Sequence, residues 1–209
     1  MLFLPVAVLS RSQLAEDQVE ANRREAESKL MRAAVSLLEA GDSYADLTVE
    51  RIAEAAGRTR TAFYVYFRDK RELLMRLTEG VSELLFVEAD RWWSGVDGPA
   101  DLEQALTNIL RIYRDHAAVL RAVVEASAYD EQVGSFWRGL IGRFIAATER
   151  RLVTEGEADK GAAHARAFVL VWATERACYQ HMVRGGSLDD GTLVRALAEV
   201  WKRAVYLAG

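Results

Sequence analysis

Between Thr48 and Lys70 the chain gathers side chains suited to holding an anion. Arg58, Arg60 and Lys70 bring positive charge, Thr48, Thr59 and Thr61 bring hydroxyls, and Tyr64 and Tyr66 bring phenols. Groups of this kind donate to phosphate oxygens, and a guanidinium also matches guanine O6 and N7 in bidentate fashion. Arg60 suits either use, a base edge or a phosphate.

Such groups need a rigid mount, and the surrounding residues supply one. Thr48 is a good N-cap, because its hydroxyl can accept from an unpaired N–H at a helix start. Val49, Ile52, Ala53 and Ala56 recur at i, i+3, i+4 and i+7, one apolar stripe of a helix. Gly57 suits the left-handed position that closes it. Thr59 can cap a second helix running to about Tyr66, which is too short to stand alone. Phe63 and Phe67 are expected to anchor it to the first, leaving Arg58, Arg60, Thr61, Tyr64 and Tyr66 to face a partner. The pair reads as a helix-turn-helix, whose second helix enters the major groove of double-stranded DNA while neighbours clamp phosphates. Lys70 falls in the first turn of the next helix. A solvated lysine is the default reading, but the helix dipole prefers an acid there, which a phosphate contact explains better.

The run Ala56-Gly57-Arg58-Thr59-Arg60-Thr61-Ala62-Phe63-Tyr64-Val65-Tyr66-Phe67, then Lys70 and Leu73-Leu74, resembles the DNA-binding domain of the tetracycline-repressor (TetR) family. The shared features are Ala-Gly, a hydroxyl residue two on, a bulky apolar residue followed by Tyr, an aromatic, Phe and a downstream Lys. Two departures are Arg58, where the family usually has a small aliphatic residue, and Thr61, where Gly or Pro is common. The resemblance implies backbone contacts from Thr48, Thr59, Tyr64, Tyr66 and Lys70, and a repressor in the cytoplasm. One short recognition helix reads few base pairs. Specificity then calls for two copies about 34–36 Å apart, or multiples of that, on a palindromic operator. The expected partners are therefore DNA and a second copy of the chain, a homodimer.

The whole chain fits this reading. Its 209 residues allow one large domain or two small ones, and 51% hydrophobic with 28% charged residues is ordinary for a folded soluble protein. The net charge of −4 excludes a chain basic all over, yet residues 45–76 hold seven Arg or Lys against five acids. From charge alone this reads as a mixed solvated surface, and a locally basic module on an acidic body also suits DNA contact at one end. Two prolines, Pro5 and Pro99, leave long stretches free for helices. The single Cys178 rules out an intramolecular disulfide framework and fits a reducing compartment. The apolar start, residues 1–10, lacks a positive n-region and is too short for a bilayer span.

In chain order, residues 1–20 read as a flexible arm or an over-called start, with helix beginning near Ala21. Residues 21–68 read as the helix-turn-helix domain and 69–209 as a ligand-binding and dimerisation domain. The first core helix carries Leu30, Ala34, Leu37 and Leu38 and stops at Gly41. A long helix from Asp69 to about Trp93 turns Leu73, Leu74, Leu77, Val81, Leu84 and Leu85 inward. Five further helices follow, the fourth of them running from Ala162 to Arg184. With no β-alternation or repeat, the fold class is all-α, about nine helices. The last two long helices are the expected dimer interface, through Leu193, Leu197, Val200 and Ala204, with Phe168, Val171, Trp172 and Cys178 on or near another face.

The second domain is rich in aromatic residues at helical spacing, which suits plain core or a ligand box. Tyr113, Trp137, Phe144, Trp172 and Tyr179, with Thr148, Thr174 and Glu175 as polar groups, make up the candidate pocket for a small lipophilic effector. Gly139 and Gly142, inside a strong helix, read as room for a ligand or for a close neighbouring helix. The set is similar to the branch of the family that holds the mycobacterial repressor of ethionamide activation, whose members have a long apolar tunnel. The shared features are Trp137 and Phe144 with Thr148 beyond, Glu175-Arg176 followed by Tyr179, and the late Trp201. Thr174 departs from that branch, which has an amide side chain there. By this reading an effector shifts the helix that starts at Asp69 and so changes the spacing of the two recognition helices.

Catalysis has little support. His116, His164 and His181 are scattered, Cys178 has no activating partner, and Glu175, Cys178 and His181 drift round a helix instead of converging on a metal. No glycine loop cradles phosphate, so no cofactor is expected. The other reading is a ligand-independent architectural DNA binder, which would lack a pocket and carry more basic charge.

Overall fold

Helix-forming runs bounded by small caps and glycines set the architecture. The computed structural model describes residues 11–95 and 98–206, with side chains from Gln18 onward. Among the described residues there are nine α-helices and no strand: α1 Arg11–Glu39, α2 Val49–Ala55, α3 Arg60–Phe63, α4 Lys70–Trp93, α5 Gly98–Asp115, α6 Ala117–Ser127, α7 Glu131–Thr154, α8 Lys160–Cys178 and α9 Asp190–Tyr206. They form two compact units. One contains α1 as far as Asp42 together with Leu47–Lys70; the other contains Ser43–Asp46 and the chain from Arg71 onward.

The first unit has one small core, in which Leu30, Leu38, Leu47, Ile52, Phe63 and Phe67 are all buried. α1 extends further back than expected. Part of the expected arm, residues 1–10, lies outside the described residues, but 11–20 are helical. Good helix formers favour this, and i,i+4 pairs continue the helix from Gln18 onward. Glu20 pairs with Arg24 at 3.2 Å, Glu25 with Lys29 at 2.7 Å, and Gln18 bonds Asn22 at 3.1 Å.

The second unit is a layered bundle. α7 packs on α8 and α6, and α5 packs on α9. Capping fixes two of its helix starts: Asp130 accepts from the N–H groups of Gln132 and Val133, and Asp159 from those of Gly161 and Ala162. Arg71 at the head of α4 is tied to Asp130 at 2.7 Å. α8 ends at Cys178, short of the expected Arg184, and the chain widens into a π-helical turn over Tyr179–Val183.

Several inward assignments are corrected by the packing. Leu84 is 47% exposed, because α4 turns about 100° per residue and Leu85 takes the core position beside it. Gly139 and Gly142 lie on the exposed face of α7, and a Cβ at either would meet nothing within 4 Å. They make room neither for a ligand nor for a neighbouring helix. Alanine at each should therefore stabilise the protein by about 0.5–1 kcal/mol through helix propensity alone. Urea unfolding of Gly139→Ala and Gly142→Ala checks this; a loss of stability would mean that this face is covered.

Candidate nucleic-acid interface and effector cavity

The helix-turn-helix is assembled by local chemistry. Thr48 is extended at φ −107°, and its side chain accepts from the Arg51 N–H. At the far end of α2, Gly57 takes φ 64°, a conformation that other residues enter at a cost. Its N–H reaches the Glu54 carbonyl, and the next N–H, of Arg58, reaches back to Ala53. This paired closure ends α2 and starts the turn. Thr59 caps α3 by accepting from Ala62 N–H at 3.1 Å. α3 proper has four residues, and tight turns carry the path on to Tyr66. Phe63 packs against Phe67 at 5.4 Å and meets Tyr64 edge-on at 5.6 Å.

Thr48, Arg58, Thr59, Arg60, Thr61 and Tyr64 are exposed, whereas Tyr66 and Lys70 are half-buried. Two of these residues have partners that the sequence did not disclose. The Arg60 guanidinium meets Glu50 at 2.9 Å and lies over the Tyr64 ring, 5.7 Å from its centroid. A hydrogen bond to Tyr64, then the nearby Glu50 charge, raises the Arg60 pKa above its ordinary value. Lys70 Nζ donates to the Leu47 carbonyl at 2.8 Å, bracing the residue just before the α2 cap. Glu50 escaped sequence reading because its partner lies across the turn, where no periodicity connects the two.

The second unit encloses a cavity of about 80 Å³. Six of the eight expected residues line it: Tyr113, Trp137, Phe144, Thr148, Thr174 and Glu175. Trp172 and Tyr179 do not. Trp172 turns toward the exposed Phe168, with ring centroids 6.4 Å apart, and Tyr179 is buried elsewhere, beneath the Arg176 guanidinium. α4 lines it too, with Leu85, which was expected to face inward, with Trp93, and with Thr78 and Ser82, which sequence reading missed. Serine and threonine within a helix carry no signal of facing inward. α9 adds Trp201. Phe86, Trp93 and Phe144 form an aromatic cluster, with centroids 4.9–5.8 Å apart.

Most polar groups of the lining are satisfied. Trp93 Nε1 donates to Thr148 at 3.2 Å, Trp201 Nε1 to Thr174 at 2.8 Å, and Thr78 to the Leu74 carbonyl at 2.8 Å. Glu175 and the Ser82 hydroxyl are buried without a hydrogen-bond partner. Burial raises the pKa of Glu175 above the usual glutamate value, and nearby Arg176 opposes the shift. Burial, then the neighbouring Glu175 charge, pushes the Cys178 thiol up to about 12. That thiol is inert at neutral pH.

The expected dimer residues divide. Leu193 is buried in its own chain, as is Cys178, so neither offers surface to a partner. Leu197 and Ala204 are half-buried, and Val200 is 54% exposed. Phe168 and Val169 on α8 are also exposed. Among the described residues no helix is long and apolar enough to cross a membrane.

Known proteins match both units. Residues 30–77 match the family described as bacterial regulatory proteins, tetR family, and residues 102–207 match the C-terminal domain of the transcriptional regulator EthR. The HTH-type transcriptional regulator EthR of Mycolicibacterium smegmatis is 29% identical over 196 residues, covering 86% of each chain. EthR of Mycobacterium tuberculosis is 27% identical over 176 residues, covering 78% of this chain and 79% of its own. Among solved structures, a TetR-like transcriptional regulator from Rhodococcus sp. RHA1 shares the fold at a TM-score of 0.65 and 22% identity, covering 97% of this chain and 100% of its own. A transcriptional regulator from Aquifex aeolicus does so at 0.65 and 16%, covering 85% and 98%. The helix-turn-helix with its cap, turn and anchoring rings, joined to a helical unit of the EthR type, makes this chain a member of the TetR family of DNA-binding transcriptional regulators.

Proposed function

We propose that the protein is a ligand-responsive repressor that binds an inverted-repeat operator as a homodimer and leaves it when a small lipophilic effector enters the cavity. The carrying observation is an apolar, aromatic cavity within the second unit of a chain whose first unit is a helix-turn-helix. A purely architectural DNA binder has no use for such a cavity. α4 runs from Lys70, the last residue of the DNA-binding unit, through the cavity-lining residues Thr78 to Trp93. Occupancy can therefore act on the helix that leads directly out of the motif. Drug-sized ligands need pockets of roughly 300–1,000 Å³, so a sizeable effector must part the lining. An effector displaces DNA only to the extent that it binds the two states with different affinity. The exposed apolar residues Phe168, Val169 and Val200 on α8 and α9 supply surface for a second copy.

Footprinting the DNA that flanks its own gene, with and without lipophilic compounds, tests the reading. A protected inverted repeat that disappears on addition of a compound is expected. Protection that no compound alters would favour the ligand-independent reading, and no protected repeat at physiological salt would refute operator binding.

Within this reading Arg60 contacts a base edge or a phosphate, and Thr48, Thr59, Tyr64, Tyr66 and Lys70 contact the backbone, with Arg58 and Thr61 beside them. Lys70→Gln is expected to weaken binding to all sequences and to make the log–log salt dependence shallower by about one unit. An unchanged slope together with a less stable first unit would assign Lys70 to bracing Leu47 alone.

A further inference from the structure

We propose that the effector is a lipophilic amine, an apolar molecule whose cationic nitrogen seats on the Glu175 carboxylate while its hydrocarbon fills the aromatic chamber. This deepens the effector-cavity reading and rests on it. The observation is a mismatch inside the cavity. Glu175 lines it with a side chain only 3% exposed, and both carboxylate oxygens are buried without a hydrogen-bond partner. The nearest cation is no substitute: Arg176 Nε lies 3.6 Å from Oε2, beyond hydrogen-bonding reach, and its side chain is half exposed and laid over Tyr179. Among the lining donors, the indoles of Trp93 and Trp201 are committed to threonine hydroxyls and Thr78 to a carbonyl, and none reaches the carboxylate.

An ionised carboxylate only accepts hydrogen bonds, so it needs donors, and a buried charge needs an opposite one. A protonated amine supplies both. An alcohol brings a single donor and leaves one oxygen unpaired, and a fatty acid places like charges together. The aromatic lining adds to the preference, since the faces of tryptophan and tyrosine attract cations. Tyr113, Trp137 and Trp201 line the same chamber. Burial favours the protonated form of Glu175 in the empty cavity, with Arg176 opposing it. The titratable neighbours Tyr113 and Cys178 are themselves pushed upward by burial, stay neutral near pH 7 and cannot compensate the charge. An incoming cation can.

The test titrates the full-length protein with n-alkylamines from hexyl to dodecyl, and with the alkanols and alkanoic acids of matching length, all below micellar concentrations. Binding is followed by calorimetry and by the fluorescence of the lining tryptophans. The amine is expected to bind about tenfold more tightly than the alkanol of equal length, as a charge-assisted bond exceeds a neutral one. The acid should be weakest. In Glu175→Gln the amine should lose its tenfold advantage over the alkanol of equal length, and a wild-type circular dichroism spectrum shows that the variant is folded. Alkanol or acid binding as tight as the amine, or an amine preference that survives in Glu175→Gln, overturns the amine inference and leaves the cavity standing. If no probe with any head group binds, the effector-cavity reading fails and this inference fails with it.

Discussion

Phe63→Ala should abolish DNA binding while leaving the second unit folded. α3 has four residues and cannot persist as a helix by itself. Its place depends on one ring that is fully buried, packed 5.4 Å from Phe67 within the core of Leu30, Leu47 and Ile52. Truncating a buried phenylalanine costs about 3–5 kcal/mol, through lost transfer energy and the cavity left behind. A unit this small has little stability to spare, because small domains bury a lower fraction of their surface. The Thr59 cap survives the substitution but is worth only about 1 kcal/mol. Fluorescence anisotropy with flanking DNA, paired with urea unfolding, checks the expectation. The variant should lose the transition of the first unit and all sequence-specific binding, and should keep the transition of the second. Arg60→Ala is the informative contrast. It removes an exposed side chain, so the unit should stay folded, and affinity should fall by about 1–3 kcal/mol if the guanidinium reads a base edge. Wild-type affinity in Phe63→Ala would mean that α3 is held by something other than its core ring.

Locally encoded features were legible in the sequence. Thr48 and Thr59 are N-caps, Gly57 takes the left-handed position, and Phe63 and Phe67 are the anchors. The caps and the turn depend on neighbours within about five residues, so residue type and spacing suffice, and the i,i+4 spacing of Phe63 and Phe67 marks the face that the short helix must bury. The cavity was partly legible for a different reason. Helical periodicity marks an apolar face, and Tyr113, Trp137, Phe144 and Thr148 lie on faces turned inward. It does not say what covers a face. Trp172 and Tyr179 have the right chemistry at plausible spacing, but α8 rotates Trp172 toward Phe168, and the π-turn begins at Tyr179. Leu193 fits an interface stripe equally well, yet its own chain covers it. Gly139 and Gly142 show the same limit, since a helix-weakening residue reveals a cost and not the face on which it is incurred. The capture of Arg60 by Glu50 depends on the angle between two helices, which no spacing along the chain encodes.

Glu175→Leu is expected to make the second unit more stable at neutral pH by about 1–3 kcal/mol, the cost of keeping an unpaired polar group out of water. Leucine is close in volume to glutamate and needs no partner, so the loss of the carboxyl opens little new space. The pH dependence separates this cause from a general packing gain. Burial raises the folded-state pKa of Glu175, so above the ordinary glutamate range the folded protein holds a proton that the unfolded chain has released. Where the folded state binds more protons, stability falls as pH rises. The wild type should accordingly lose stability from the ordinary glutamate range up to the raised folded value, and the leucine variant should lack that decline. The advantage of the variant should be small in acid, grow through that window and level off above it. Urea unfolding across a pH series, without added effector, reads this directly. A pH-independent advantage would point to packing alone, and a variant less stable than wild type at neutral pH would mean that the carboxylate has a partner inside the protein. The same residue thus links two behaviours: a carboxyl that weakens the empty bundle at neutral pH is the one a cationic effector would satisfy, so the gain from ligand binding should be largest where the unliganded protein is least stable.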